Sequence, residues 1–340
     1  MQIILNGTPE TISDGSSAAD LLQLKGIHPA MAAVDVNGCL VRKDARAAWI
    51  LKDRDQVEVV RMIAGGAAPD EGAALKDELV IAGKAFSSRL LLGTGRYPSF
   101  EHMRRCHQAS GTQIVTLAVG RHEFGTGAAK GGMGQATIMD FIDRERLTLL
   151  PNTAGAYSAR EALRLANLSR DLLGTDWIKL EVLSDQATLW PDVAETVVAC
   201  RDLVREGFTV LVYSTDDPVV ARRLEDEGAA AIMPLGSMIG SGQGILNPLN
   251  LRLIKARAQV PVICDAGIGC ASDAALAMEL GLDGVLCNSA VALAQEPETM
   301  ARSMGFAVQA GRLSHRAGRI PRHDHAAASS QGAGIGNKLT

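Results

Sequence analysis

Apolar and polar positions follow two different rhythms along the chain, and the change falls near Leu79. Before it, MQIILNG alternates and ends in a turn, and PETIS can return as its hairpin partner. Ser16-Ser17 then precede the short amphipathic run AADLLQLKG, which they are suited to cap. Three strand-like runs follow: MAAVDVNG, RAAWILKD and QVEVVRM. Strand, strand, helix and further strands is the order of a small α+β unit of the β-grasp type, here residues 1–66, ending in Ala64-Gly65-Gly66. Residues 67–78, AAPDEGAALKDE, are small and charged without apolar periodicity and predict a linker.

From Leu79 onward, short apolar runs alternate with amphipathic helical patterns, the signature of parallel strands joined by crossover helices. The first four expected strands are Leu90–Gly95, Ile114–Val119, Thr148–Thr153 and Trp177–Leu183. The second four are Thr209–Thr215, Ala230–Gly236, Pro261–Gly267 and Gly284–Ala290. Helical runs such as SAREALRLANLSRDLLG, DPVVARRLEDEGA and SDAALAMELG lie between them. Eight β/α units over about 240 residues fit a (β/α)8 TIM barrel, placed at 79–325. An open doubly wound sheet is the alternative, but no GxGxxG follows the first strand. Residues 326–340 are small, polar and Gly-rich and predict a mobile tail. A second Gly-rich stretch, Gly120–Gly134, follows the second strand, where it could serve as a lid or as a plain surface loop.

Composition narrows the function classes. A formal charge of −4 gives no general attraction for nucleic acid or anionic lipid, so an anionic substrate needs local features to hold it. No apolar stretch approaches the ~20 residues of a membrane span, and the N-terminus lacks the pattern of a secretory signal. The six cysteines form no CxxC pair, and several sit in apolar runs such as PVICDAG and GVLCNSA, which predicts buried free thiols in a reducing cytoplasm. The seven histidines give no HExxH, and His323-Asp324-His325 lies in a polar tail, so no metal site is expected.

Chemistry in a barrel sits at the C-terminal ends of the strands. The fourth strand carries Lys179 and Glu181 two residues apart, hence on one side of the pleat, while Ile178, Leu180 and Val182 suit the helix-facing side. Enclosure is expected to lower the Lys179 pKa, and a neutral amine attacks carbonyls to form an imine. Asp265, ending the seventh strand, would face the same cavity and supply a second carboxylate for proton transfer. A structural ion pair is the bland reading of the same residues. Gly clusters after the sixth and seventh strands (Pro234–Gly244 and Asp265–Gly269), with the small-residue loop Asn288–Ala290 after the eighth, suit a phosphate approached by backbone N–H groups. The residues alone thus describe a Schiff-base enzyme acting on a phosphorylated ketone or aldehyde, and a class I aldolase with an appended binding module satisfies them equally well. A non-enzymatic binding module on an inert scaffold is disfavoured, because a scaffold has no use for enclosed charge.

FSSRLLLGTGRY, TLLPNTAG, WIKLEVL, YSTDDPVVARRLEDEGAAAIMPLGSMIGSGQG and PVICDAGIG with its continuation to DGVLCNSA resemble the thiazole synthase family of thiamine biosynthesis, over residues 79–325. Residues 1–66 resemble that enzyme's ubiquitin-like sulfur carrier protein, including the Gly65-Gly66 terminus, so the chain resembles a fusion of the two. The resemblance implies condensation of 1-deoxy-D-xylulose 5-phosphate, dehydroglycine (2-iminoacetate) and carrier-borne sulfur into thiazole phosphate. It makes Lys179 the Schiff-base lysine and Glu181 and Asp265 the acid/base pair. Gly240, Ala266, Gly267, Asn288 and Ser289 become the residues that hold the phosphate and hydroxyls. It further implies no metal or organic cofactor, a carrier adenylyltransferase as partner, glycine oxidase or a radical tyrosine lyase as imine source, a homo-oligomer, and a cytoplasmic location.

The chain departs from the family pattern in three places. Ser289 stands where Thr is usual and keeps the hydroxyl. Gly120-Arg121 stands where two adjacent Arg are usual, one positive charge fewer. Gly66 is followed by Ala67 and is not a terminus, whereas a thiocarboxylate forms only on a free terminal carboxyl. Sulfur carriage on Gly66 therefore requires cleavage of the 66–67 bond.

Overall fold

Alternation in the first segment produces a five-stranded sheet in the computed structural model, which describes residues 1–61, 77–119 and 136–326. Strands β1 (Gln2–Leu5) and β2 (Thr8–Thr11) pair antiparallel across Asn6-Gly7, whose positive φ values of 48° and 81° suit a tight hairpin. Helix α1 (Ala18–Leu24) starts at Ser17, not Ser16, in a capping box with Asp20. Strands β3 (Ala32–Val36), β4 (Cys39–Val41) and β5 (Gln56–Arg61) complete the order β2-β1-β5-β3-β4, with β1 and β5 parallel. Leu21 and Leu22 of α1 are buried in one cluster with Ile3, Val34, Val36 and Val57 of the sheet.

One expectation here is corrected. RAAWILKD is not a strand: it turns, with Ile50 alone bridging Ser17, and Trp49 and Ile50 are exposed. The buried Arg46 side chain explains the turn, donating to the carbonyls of Val41, Pro29 and Ala32 and folding the segment around itself. The strand that pairs with β3 on the edge away from β5 is instead the short β4, set by the Asn37-Gly38 hairpin.

The chain divides into two units, Met1–Leu75 and Lys76–Thr340. The second opens with a hairpin that periodicity did not reveal, β6 (Leu79–Ile81) and β7 (Lys84–Phe86), turning at Ala82-Gly83. Then come β8 (Leu90–Gly93), α2 (Phe100–Ser110), β9 (Ile114–Ala118), β10 (Thr148–Asn152), α3 (Ala159–Leu173), β11 (Trp177–Leu180) and α4 (Val193–Arg205). Next are β12 (Thr209–Ser214), α5 (Pro218–Asp226), β13 (Ala231–Pro234), α6 (Pro248–Arg257), β14 (Ile263–Asp265) and α7 (Ala271–Glu279). Strand β15 (Gly284–Cys287), the single turn α8 (Ser289–Ala292) and the long α9 (Pro297–Ala317) finish the unit. All eight strands β8–β15 are parallel neighbours, and bridges Ile232–Val262 and Leu235–Asp265 close the ring between β13 and β14. This is the expected (β/α)8 barrel.

Its two sides have different cores. Ile178, Leu180, Val210 and Val212 point outward into the helix layer. Leu91, Ile114, Leu150, Leu211, Met233, Ile263 and Leu286 fill the interior, where Leu79, Ile81 and Phe86 of the hairpin join them and stopper the N-terminal end. Each such side chain contributes about 1.5–3 kcal/mol when fully buried. The expected strands run one to three residues too far at their C-terminal ends. After Leu180, the Glu181 N–H donates to Thr153 Oγ1 at 2.8 Å instead of continuing a ladder, and residues from Ser289 turn helical. The strand ends are spent on the cavity. No helix among the described residues is long and apolar enough to cross a membrane. The 67–78 linker up to residue 76, the Gly120–Gly134 stretch and the tail from residue 327 lie outside the described residues.

Candidate active site

Pleat parity decides what the C-terminal mouth presents. With Leu211 inward, its register partner Lys179 faces the interior, as do Asn152, which pairs with Lys179 and follows the inward Leu150 by two residues, and then Glu181. They line a cavity of about 710 Å3 together with Asp265, Gly240, Ala266, Gly267, Asn288 and Ser289. All eight expected barrel residues are therefore brought to one cavity. Gly65 and Gly66 lie outside the described residues.

Lys179 Nζ sits 2.6 Å from Asp265 Oδ2 and 2.9 Å from Glu181 Oε1. Glu181 is fixed through its backbone, since Thr153 Oγ1 accepts from its N–H and donates to its carbonyl at 2.7 Å. The expected fall in the Lys179 pKa is overturned. Burial does push it down, but the Asp265 and Glu181 carboxylates outweigh burial and hold it above its ordinary value, so the resting amine is protonated. Burial, reinforced by the Glu181 charge, pushes the Asp265 carboxyl up against the pull of Lys179. Asp265 is the nearer of the two carboxylates to the lysine ammonium. The Tyr213 ring centroid lies 5.6 Å from Lys179 Nζ, and burial keeps its phenol neutral by raising its pKa.

Other parts of the lining are loop residues and backbone. Ala266 and Gly267 turn after β14 with φ of 66° and 78°, and Gly240 has φ of 72°. A side chain at Gly267 would collide with Ser237, so this glycine lets the loops after β13 and β14 pack directly. The Gly244 N–H donates to the Gly267 carbonyl at 2.8 Å across that contact. Asn288 packs on Gly93, where a Cβ would come within 2.7 Å, and its Oδ1 is buried without a hydrogen-bond partner. Such a group, and open loops rich in N–H donors, suit a polar ligand with hydroxyls and an anionic end.

Sequence reasoning missed Asn152, Thr116 and Thr94 at the strand ends. Asn152 was within reach, because alternation from Leu150 already points it inward. Buried Cys264 and Cys287 have thiol pKa values raised by burial, that of Cys287 to about 12, so neither is a ready nucleophile.

Residues 80–331 match the family model of the thiazole biosynthesis protein ThiG. The chain belongs to that family. Residues 3–66 match the ThiS family. A thiazole synthase of Rhodospirillum rubrum is 52% identical over 285 residues, covering 84% of this chain and 96% of that protein. The thiazole synthase of Paramagnetospirillum magneticum is 45% identical over 335 residues, 98% of this chain and 100% of its own length. Among solved structures, a chain of the Amycolatopsis orientalis BexX/CysO complex is 33% identical with a TM-score of 0.64, covering 73% of this chain and 98% of that one. The ThiG match covers the barrel and the ThiS match the preceding unit, as the sequence resemblance implied.

Proposed function

We propose that this thiazole synthase of thiamine biosynthesis condenses 1-deoxy-D-xylulose 5-phosphate, dehydroglycine and carrier thiocarboxylate sulfur through a Schiff base on Lys179. The thiazole synthase role itself rests on the family match and on relatives of that name that cover the chain. The single observation that carries the mechanism is Lys179 held between two carboxylates in a backbone-lined cavity.

The amine first passes its proton to Asp265 and attacks the ketone carbon. Loss of water from the carbinolamine takes a proton back from a carboxyl group and leaves a protonated imine. Its positive charge falls where the ammonium charge was, between Asp265 and Glu181, so the site is organised for the charged intermediate. A carboxylate, Glu181 or Asp265, then removes a proton from the carbon beside the imine, and the electron pair moves into the nitrogen. Gly240, Ala266, Gly267, Asn288 and Ser289 hold the phosphate and hydroxyls.

Sulfur reaches the site on the carrier, activated at its terminal carboxyl by an adenylyltransferase, and the glycine imine comes from glycine oxidase or a radical tyrosine lyase. For the carrier half of this chain to serve, the 66–67 bond is cut. The ThiS match over 3–66 favours this reading over an aldolase, which has no use for a carrier. Reconstitution with the ketose phosphate, dehydroglycine and a thiocarboxylated carrier tests it: a sulfur-containing thiazole phosphate forms, and none forms with Lys179→Ala. Retro-aldol cleavage without sulfur incorporation would reject it.

A further inference from the structure

The charged residues lining the cavity among the described residues are Lys179, Glu181 and Asp265, which sum to −1. A dianionic phosphomonoester entering such a cavity meets repulsion unless a cation stands near its far end. Arg96 stands there. Exposed at the rim, its Nη1 lies 3.5 Å from Ser289 Oγ and 3.9 Å from where a Cβ on Gly240 would be. No carboxylate pairs with Arg96 among the described residues.

The backbone beneath it is unusual. Arg96 has φ of 69°, a left-handed conformation that costs a non-glycine residue. Both sides of the loop are anchored. Thr94 Oγ1 donates to the Thr116 carbonyl at 2.9 Å, and the Tyr97 ring packs edge-on against the buried His107 with centroids 6.0 Å apart. His107 Nε2 in turn bonds the Gly93 carbonyl at 3.1 Å, tying the loop to the strand from which it springs. A strained, well-anchored residue whose guanidinium has no ionic partner among the described residues is the kind of position kept for a ligand.

We propose that Arg96 is a specificity residue, donating to the substrate's phosphate from the rim and selecting a phosphomonoester over the corresponding uncharged ketose. This rests on the reading that Gly240 and Ser289 hold the phosphate. The planar guanidinium offers paired donors to phosphate oxygens and keeps its charge at all working pH values.

The test uses the full chain carrying Lys179→Ala, so that binding is read without imine formation, and calorimetry with inorganic phosphate as probe. Adding Arg96→Gly weakens phosphate binding by about 10–100-fold, the size of charge-assisted hydrogen bonds lost, and Arg96→Lys recovers part of it. Because glycine accepts the left-handed backbone freely, Arg96→Gly keeps or raises the thermal midpoint, whereas a merely structural arginine would lower it. In the chain with Lys179 intact, Arg96→Gly raises the half-saturating ketose phosphate concentration for borohydride trapping and leaves that of the dephosphorylated ketose unchanged. Phosphate affinity indifferent to Arg96, no phosphate binding at millimolar concentration, or equal loss for both ketoses overturns the inference. If Arg96 governs phosphate binding while the intact chain traps no ketose, the Schiff-base reading fails and the Arg96 assignment stands.

Discussion

Lys179, Glu181 and Asp265 are each no more than 5% exposed, so their mutual charges act with little solvent screening. Removing one carboxylate removes part of what holds the lysine protonated. In Asp265→Asn or Glu181→Gln the pH profile of imine trapping accordingly shifts to lower pH, because the neutral amine becomes accessible sooner. Turnover nevertheless falls by about 10²–10⁴-fold, as expected when a general acid–base group is lost after the imine has formed. An unshifted profile, or lost binding with normal chemistry on bound material, would make the carboxylates structural. At this scale the sequence was informative where strand geometry applies: Lys179 and Glu181 follow from alternation, and Asp265 from its place at a strand end. It was misleading about the lysine's charge, since a pKa depends on distances that alternation does not fix. Arg96 escaped notice because its placement comes from a loop conformation that leaves no periodic trace.

The elements of the barrel were legible because buried parallel strands are short apolar runs spaced by amphipathic helices, which makes two periods easy to separate. The β6–β7 hairpin was not, since strands of three residues are too short to show a period. RAAWILKD misled for a different reason: its apolar residues resemble a strand, but Arg46 binds three carbonyls and curls the backbone. An ion-pair cluster on the barrel unit gives a testable consequence. Asp77, just before β6, accepts from Arg312 of α9 with both oxygens at 2.8 Å and pairs with buried Arg89 at 2.9 Å. The Arg312 hydrogen bonds, with the nearby guanidinium charges, hold the Asp77 carboxyl well below the usual carboxylate range. A depressed carboxylate contributes stability that is present above its unfolded pKa of 3.8 and is lost as pH falls through the lower folded value. Asp77→Asn is expected to destabilise the chain by about 1–3 kcal/mol at neutral pH. In denaturant titrations its deficit shrinks as pH falls below the ordinary carboxylate range; a pH-independent deficit would mean packing, not charge.

For the whole molecule the informative fact is that relatives match nearly end to end, over the ThiS-like unit and the barrel together. Residues 67–78 would span at most about 40 Å if extended, and tethering of this kind raises effective concentration toward the millimolar range. The tether conflicts with the chemistry, because an internal glycine has no carboxyl to activate. Intact-mass measurement of protein recovered from its native host is expected to show two chains, one ending at Gly66 and one starting at Ala67. A wholly uncut sample that still makes thiazole would mean that a separate carrier supplies the sulfur.

The imine on Lys179 is the claim on which the rest depends, and borohydride reduction reads it directly. Incubated with 1-deoxy-D-xylulose 5-phosphate and reduced, the chain is expected to gain the mass of one ligand on a single peptide containing Lys179, and Lys179→Ala and Lys179→Arg are expected to gain none. A reduced adduct on another peptide, or one that survives Lys179→Ala, would contradict the account.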